Sequence, residues 1–451
     1  MAVSLKKFQF LTNSSDYSQR HRKSQTSFTR QRKLPFMRVL KFLLSKSVKS
    51  LQSRLNEWGE LLDEQISSSA LCQARQKFSH SAFIELLEEC VVKVMYGDGD
   101  YEKYKNYRLL AIDGSTLRLP KSKETLKVFG QSRKGDETLV ESKLSVVYDV
   151  LNRIPITAIL HPGRTNDIVA CQEQLSFVGS NDIVIADRGY DSYAFFAAIL
   201  EQKADFVIRC QAKRKVCRML LEDDKQKDIT VVLEAPEYKK KFDEALSSTL
   251  PVRFIRIPLP NGEVEVLATS LISKSKFPYK EFKKLYAARW KVETYFQVLK
   301  SRLGLDNFSG KTEEAILQDL HASIFVSGLG TILTEEANEE LGQKDTKYPQ
   351  KVNNSIVFHA IKNRIIALMF ENPPDFQEQM KNLFLQNPTL IRAKRVKERN
   401  YNATTAGGKA RSFFFQKHIE RIQQTDHLKD RKNKPRSKSI LSPLCLTNHL
   451  K

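Results

Sequence analysis

The 451-residue sequence predicts an α/β protein, with a helical N-terminal domain, a sheet-containing core and a strand-rich insertion within that core. Three observations lead there. The hydrophobic period is helical up to about Gly97 and alternating from Tyr107. Three strands are then followed by an alternation of helix and strand, and residues 211–270 interrupt that alternation with charged, strand-leaning sequence. An apolar content of 41% can fill the cores of two or three domains.

Residues 1–27 read as a basic arm and residues 28–97 as the helical domain. The helical segments are "LPFMRVLKFLL", "SLQSRLNEWGELLDEQI", "SSALCQARQKF" and "SAFIELLEECVVKVMY", with Ser-rich joints suited to capping helix starts. The third, Ser68 to Phe78, is expected to turn Gln73, Arg75, Gln76 and Lys77 outward, which is the chemistry of a helix presented to DNA. A surface helix of a structural bundle would look the same. From Tyr107 come the strands "YRLLAIDGSTLRLP", "SKLSVVYDV" and "IPITAILHPG", the last two joined by "LNR" as a hairpin. A helix at Ile168 to Phe177, the strand "DIVIADRGY", a helix through "SYAFFAAILEQ" and the strand "ADFVIRC" follow. This is the order of a ribonuclease H-like core, covering 107–210 and resuming at 271–340 beyond the insertion at 211–270. Residues 341–428 read as a C-terminal helical region, and 429–451 as a basic tail too poor in apolar residues to pack alone.

Charge narrows the partners. The formal net charge is +22, and its excess sits at the ends: residues 1–56 hold thirteen bases against Asp16 alone, and residues 390–438 hold fifteen bases against four acids. Both ends would attract a polyanion, and double-stranded DNA is the expected one. A membrane partner is not expected, because the longest apolar run, "HASIFVSGLGTIL" at 321–333, falls short of a span and the N-terminus lacks the order of a secretory signal. A cytoplasmic protein follows from that reading. Cys72, Cys90, Cys171, Cys210, Cys217 and Cys445 form no CxxC pair and no metal-spaced set with His, so they read as thiols without a functional message.

The chemistry-bearing residues are acids. Asp113 is expected to close the strand "LLAID" and Asp187 the strand "DIVIAD", and a carboxylate in either place is costly to desolvate without a cation, a donor or water. Glu293 stands on the amphipathic segment "LYAARWKVETYFQVLKSRLGL", Leu285 to Leu305. At about 100° per residue, Tyr286, Arg289, Glu293 and Lys300 point to about 0°, 300°, 340° and 320°, one narrow face beside the apolar stripe of Leu285, Val292, Phe296, Leu299 and Leu303. Taken singly, each acid is an ordinary turn or surface residue. Taken together, two Asp and one Glu from three elements suit two Mg²⁺ ions, which prefer carboxylate oxygens and keep positions open for phosphate and nucleophile. Asp149, Asp167 and Asp191 are read as structural.

The spacing Tyr286, Arg289, Glu293 and Lys300, with "IDGS" at Asp113 and "ADRGY" at Asp187, resembles the DDE insertion-sequence transposases that carry a Tyr-Arg-Glu-Lys signature. The resemblance extends to the helical N-terminal segments "FTRQRKLPF" and "SALCQARQKF". It implies a metal-binding catalytic triad of Asp113, Asp187 and Glu293 with two Mg²⁺ ions, for which Mn²⁺ would substitute. It also implies that Tyr286, Arg289 and Lys300 grip the transposon-end backbone, with Arg188, Gln73, Arg75 and Lys77 as further DNA contacts. The function implied is binding of terminal inverted repeats, cleavage of the ends and joining to target DNA, by a homodimer on the DNA of a bacterial nucleoid. Some relatives cut the second strand through a hairpin with a base stacked on an insertion-domain Trp. This chain has Trp only at 58 and 290, leaving Tyr238, Phe242, Phe254 or Trp290 for that task. Two rivals keep the same fold: an inactive or domesticated DNA-binding protein, and a structure-selective nuclease.

Overall fold

The computed structural model describes residues 1–391, apart from 31–32, 47–48, 63–64, 135–136, 237–248, 260–261, 363–365 and 372. The basic tail, residues 392–428 of the expected C-terminal helical region, Cys445, Tyr238 and Phe242 lie outside the described residues.

Nine strands form the central sheet: β1 (Arg108–Leu119), β2 (Ser132–Lys134), β3 (Glu137–Asp149), β4 (Ile154–Pro162), β5 (Asp182–Ala186), β6 (Asp205–Arg209), β7 (Asp228–Glu234), β8 (Thr249–Pro258) and β9 (Val264–Thr269). β3 pairs antiparallel with both β1 and β4, as the long alternating runs and their short turn foretell, with Arg153 turning the chain at φ 60°. β5 then lies parallel to β1, and β6 parallel to β5. β5 is buried at every residue, consistent with an unbroken apolar run covered on both faces. The strands thus lie in the order β4-β3-β1-β5-β6, and the expected succession of three antiparallel strands followed by alternating helix and strand is present along the chain.

The strands of the 211–270 segment continue this sheet. β9 pairs antiparallel with β6, then β8 and β7 follow outward. Arg253, wholly buried on β8, clamps the segment in place: its guanidinium donates to both oxygens of Asp228 at 2.9 and 2.7 Å and to the carbonyls of Leu271 and Phe277 at 3.1 and 2.8 Å. These last two residues lie on the path from β9 to the helices that carry Glu293. The inserted strands are thereby coupled to the site.

Helices fill the chain before β1, and their apolar faces enter the same core as the sheet: Leu5, Phe8, Tyr17, Phe36 and Leu40 join one continuous cluster with Ile112, Val146 and Ile185. Phe8 stacks with Phe325 of the helix Glu313–Gln343. Among the described residues that helix is the one long and apolar enough to cross a membrane, and most of its length is buried by the surrounding fold, as in a core helix.

Arg75 corrects an expectation. It does not face outward: it is 4% exposed and turned into the fold, where its guanidinium donates to Gln318 Oε1 at 2.9 Å, Ser309 Oγ at 2.7 Å, the Ala315 carbonyl at 2.8 Å and Asp319 Oδ1 at 3.1 Å. The cause is Asp319, an acid buried on the long helix that a buried cation must neutralise. Gln73 and Lys77, on the opposite side of the short helix Ser68–Arg75 and its end, are exposed. Arg75→Ala is therefore expected to lower unfolding stability by about 3–5 kcal/mol, since it strands a buried carboxylate. Lys77→Ala is expected to change it by less than about 0.5 kcal/mol. Urea unfolding of both variants checks the contrast.

Candidate active site

Asp113 does not end its strand. β1 runs on to Leu119 against β3, but its parallel neighbour β5 stops, the last pair being Ala111 with Ile185. Asp113 stands where β1 has lost that neighbour, with its Oδ1 accepting from Gly114 N at 2.8 Å. Asp187 follows β5 directly and caps a single turn, Arg188–Tyr190, accepting from Gly189 N at 2.7 Å. Both acids thus lie at the carboxyl ends of the parallel pairing, where the sheet opens.

Glu293 sits in the first turn of the helix Trp290–Ser301. The single helix expected from Leu285 to Leu305 is interrupted: a first helix, Phe282–Ala287, passes through a tight turn at Ala288–Arg289 before the second begins. In that turn Arg289 N bonds the Tyr286 carbonyl and Val292 N the Arg289 carbonyl, each three residues back, which winds the chain tighter than an α-helix. The expected apolar stripe is buried throughout. Tyr286 is buried too, with no hydrogen-bond partner for its hydroxyl among the described residues.

Arg289 lies at the centre. It is 4% exposed, donates to Glu293 Oε1 at 2.8 Å and places Nη1 3.5 Å from Asp113 Oδ2, with Trp290 against its guanidinium at 4.6 Å. Its Nε has no hydrogen-bond partner among the described residues. Burial pushes the Asp113 carboxyl up to about 7, Arg289 pulls it the other way, and the charges of Asp187 and Glu293 add to the rise. Burial also raises Glu293 against the pull of Arg289, and Asp187 adds to it. The acids hold more negative charge than one guanidinium neutralises. Among the described residues no three Asp, Glu, His or Cys side chains already converge closely enough to hold an ion.

Lys300, at the other end of the helix, donates to the Thr116 carbonyl at 2.7 Å, on the strand that carries Asp113. Arg188 is exposed beside Asp187 and helps line a cavity of about 750 Å³ with Arg209, Gln211, Lys213 and the strand Val264–Val266. Sequence reading missed this cavity, because its walls come from β6 and the inserted β9, which nothing local pairs. Of the stacking candidates, Phe254 is wholly buried in the sheet and so offers no open ring face, while Trp290 is half-buried beside Arg289. Asp149 and Asp191 are structural, as read: Asp149 accepts from Leu151 N, Asn152 N and Tyr96, and Asp191 from Arg214 and Gln211 N. Asp167 differs. It reaches the glycines that follow both strand aspartates, Gly114 on β1 and Gly189 on the turn after Asp187, a placement that an acid in a helix's first turn does not announce.

Fold and site together define an α/β protein with a carboxylate cluster at the open end of a mixed sheet. The chain belongs to the transposase DDE domain family, which it matches over residues 104–329, half of its length. Its relatives include y4zB of Sinorhizobium fredii, a protein with a transposase designation, 28% identical over 42% of this chain and 52% of its own length, so this chain spans about half of it. Transposase InsG for insertion sequence element IS4 of Escherichia coli is 22% identical over 77% of this chain and 80% of its own. The piggyBac transposase, solved in a synaptic complex with hairpin DNA, is 12% identical with a TM-score of 0.42, covering 84% of this chain and 82% of that one.

The raised Asp113 makes a pH prediction. With its folded pKa about 7 and its ordinary value 3.8, the proton it binds favours the folded state below 3.8, and that contribution is lost as pH rises through about 7. In chelator, Asp113→Asn is therefore expected to melt about 2–4 °C above the wild type at pH 8 and to lose that advantage near pH 4, read by thermal unfolding.

Proposed function

We propose that the protein is a DNA transposase of the branch with the Tyr-Arg-Glu-Lys signature, which binds the terminal inverted repeats of its own element, cleaves the ends and joins them to target DNA. The observation that carries this reading is the meeting of Asp113 from a strand and Glu293 from a helix on one buried guanidinium, with Asp187 within electrostatic reach, in a chain of this family. The donor set fits hard divalent cations: it offers carboxylate oxygens only, burial and the neighbouring negative charge weaken the acidity of Asp113 and Glu293, and a cationic group is already drawn in among them.

Asp113, Asp187 and Glu293 would hold two Mg²⁺ ions, with Mn²⁺ as a substitute. The ions supply activation of the attacking oxygen and neutralisation of the leaving one. The chain's own residues do the rest. Arg289, buried among the acids, keeps them from repelling one another, and Lys300 and the exposed Arg188 beside Asp187 offer donors to the phosphates of the end; Tyr286, buried like Arg289, packs behind that surface instead of gripping it. Gln73 and Lys77 of the N-terminal helices and the basic tail hold the end duplex, without Arg75. Two ends require two copies, and a homodimer is the partner arrangement proposed.

Asp113→Asn, Asp187→Asn and Glu293→Gln are each expected to lower cleavage of end DNA by at least about 1,000-fold while keeping end binding within about threefold, since each removes a ligand and keeps shape. Lys300→Ala is expected to slow cleavage about 100-fold through loosened positioning and to leave Mn²⁺ affinity unchanged. Gel assays of cleavage and binding with calorimetry of Mn²⁺ decide it. Full cleavage by any triad variant would remove that acid from the assignment.

A further inference from the structure

Asp167 opens the short helix Asp167–Gln172 that follows β4, and its place is unusual. A side chain begun at Gly114 would meet Asp167 Oδ1 at 3.1 Å, and one begun at Gly189 would meet Asp167 Oδ2 at 3.4 Å and Asp187 Oδ1 at 3.0 Å. Gly114 follows Asp113, and Gly189 lies two residues beyond Asp187. The Asp167 carboxylate therefore borders the room that two missing side chains leave, one on β1 beside Asp113 and one on the turn after Asp187. It borders the same methyl-sized space as Asp187.

Lys143 holds it there. The ammonium, on β3 opposite Thr116, donates to Asp167 Oδ1 at 2.6 Å, and its stem passes 3.7 Å from the position a Gly114 side chain would take. Tyr190, on the Asp187 turn, is 1% exposed, its hydroxyl has no partner among the described residues, and Asp113, Asp167 and Asp187 all lie within its electrostatic reach. The buried phenol thus lies within reach of the charge of all three acids.

We propose that Asp167 is a positioning residue for the strand aspartates: held by Lys143, its carboxylate sits between Gly114 of β1 and Gly189 of the turn after Asp187 and fixes the positions from which Asp113 and Asp187 would hold a cation. The inference rests on the reading of those two acids as cation ligands. Carboxylates behind the ligand shell act by orienting the ligands, and their loss costs about 10- to 100-fold in metal affinity. A methyl group at Gly114 would press on Asp167, and one at Gly189 on Asp187, so that either carboxylate would have to give by a few tenths of an ångström.

The test uses the full chain and Mn²⁺ alone as probe. Asp167→Ala is expected to weaken Mn²⁺ affinity about tenfold by calorimetry and to alter the electron paramagnetic resonance spectrum of the bound ion. Its melting temperature and end-DNA binding should stay near wild type, because a part-exposed ion pair contributes only about 0–1 kcal/mol. Gly114→Ala is also expected to weaken Mn²⁺ binding. In the double variant the new methyl occupies vacated room, so its affinity should be no lower than that of the worse single variant. Wild-type affinity and spectrum in Asp167→Ala, or losses that simply multiply in the double variant, would overturn this positioning role. Asp113→Asn separates the failures: if it too keeps Mn²⁺, the metal-site reading is at fault, whereas if it alone loses Mn²⁺, only the role of Asp167 is.

Discussion

Negative charge gathered at one half-buried corner of the sheet is the constraint on which the structure depends. Asp113, Asp187 and Glu293 arrive from two strands and a helix, and burying them together without compensation would be costly. The chain answers with Arg289, placed in a tight turn between two helices so that one guanidinium reaches both the acid four residues on and the acid on β1. That guanidinium is itself buried and incompletely bonded. The arrangement leaves uncompensated negative charge at that corner, which is what the proposed binding of further cations would use.

Much of the remaining architecture serves to hold that corner. β5 stops while β1 runs on, so Asp187 emerges beside the point where Asp113 loses its neighbour. The inserted strands extend the same sheet and, through Arg253, are tied to the segment that leads into the Glu293 helix. The N-terminal helices share the core, and Arg75 ties one of them to the long central helix through Asp319. A DNA-gripping surface built on these helices would therefore be rigidly connected to the acids. Removing residues 1–97 would expose the core as well as end any such grip.

The strands, the hairpin and the helix–strand alternation were legible because period-two patterning and unbroken apolar runs are local signals. Asp187 and Glu293 were legible for the same reason, at a strand end and on a helix face. What escaped depends on distant partners. Asp113 looks like a strand end, and only the length of β5 shows that it is a mid-strand residue with one side open. Arg75 looks like a surface base, and only Asp319, 244 residues away, turns it inward. Asp167 looks like any acid that begins a helix until Gly114 and Gly189 close around it. The turn at Ala288–Arg289 carries no Gly or Pro to mark it.

The central claim is that this corner performs strand cleavage and transfer on its own element's ends. The most direct measurement incubates the wild-type protein with Mg²⁺, duplex carrying those ends and a supercoiled target, and sequences the products. The account predicts breaks at the element's termini that leave 3′-hydroxyls, and those same 3′ ends covalently joined to target DNA, with neither product in chelator. Binding without breaks, or breaks at structural features unrelated to the termini and never joined, would contradict it.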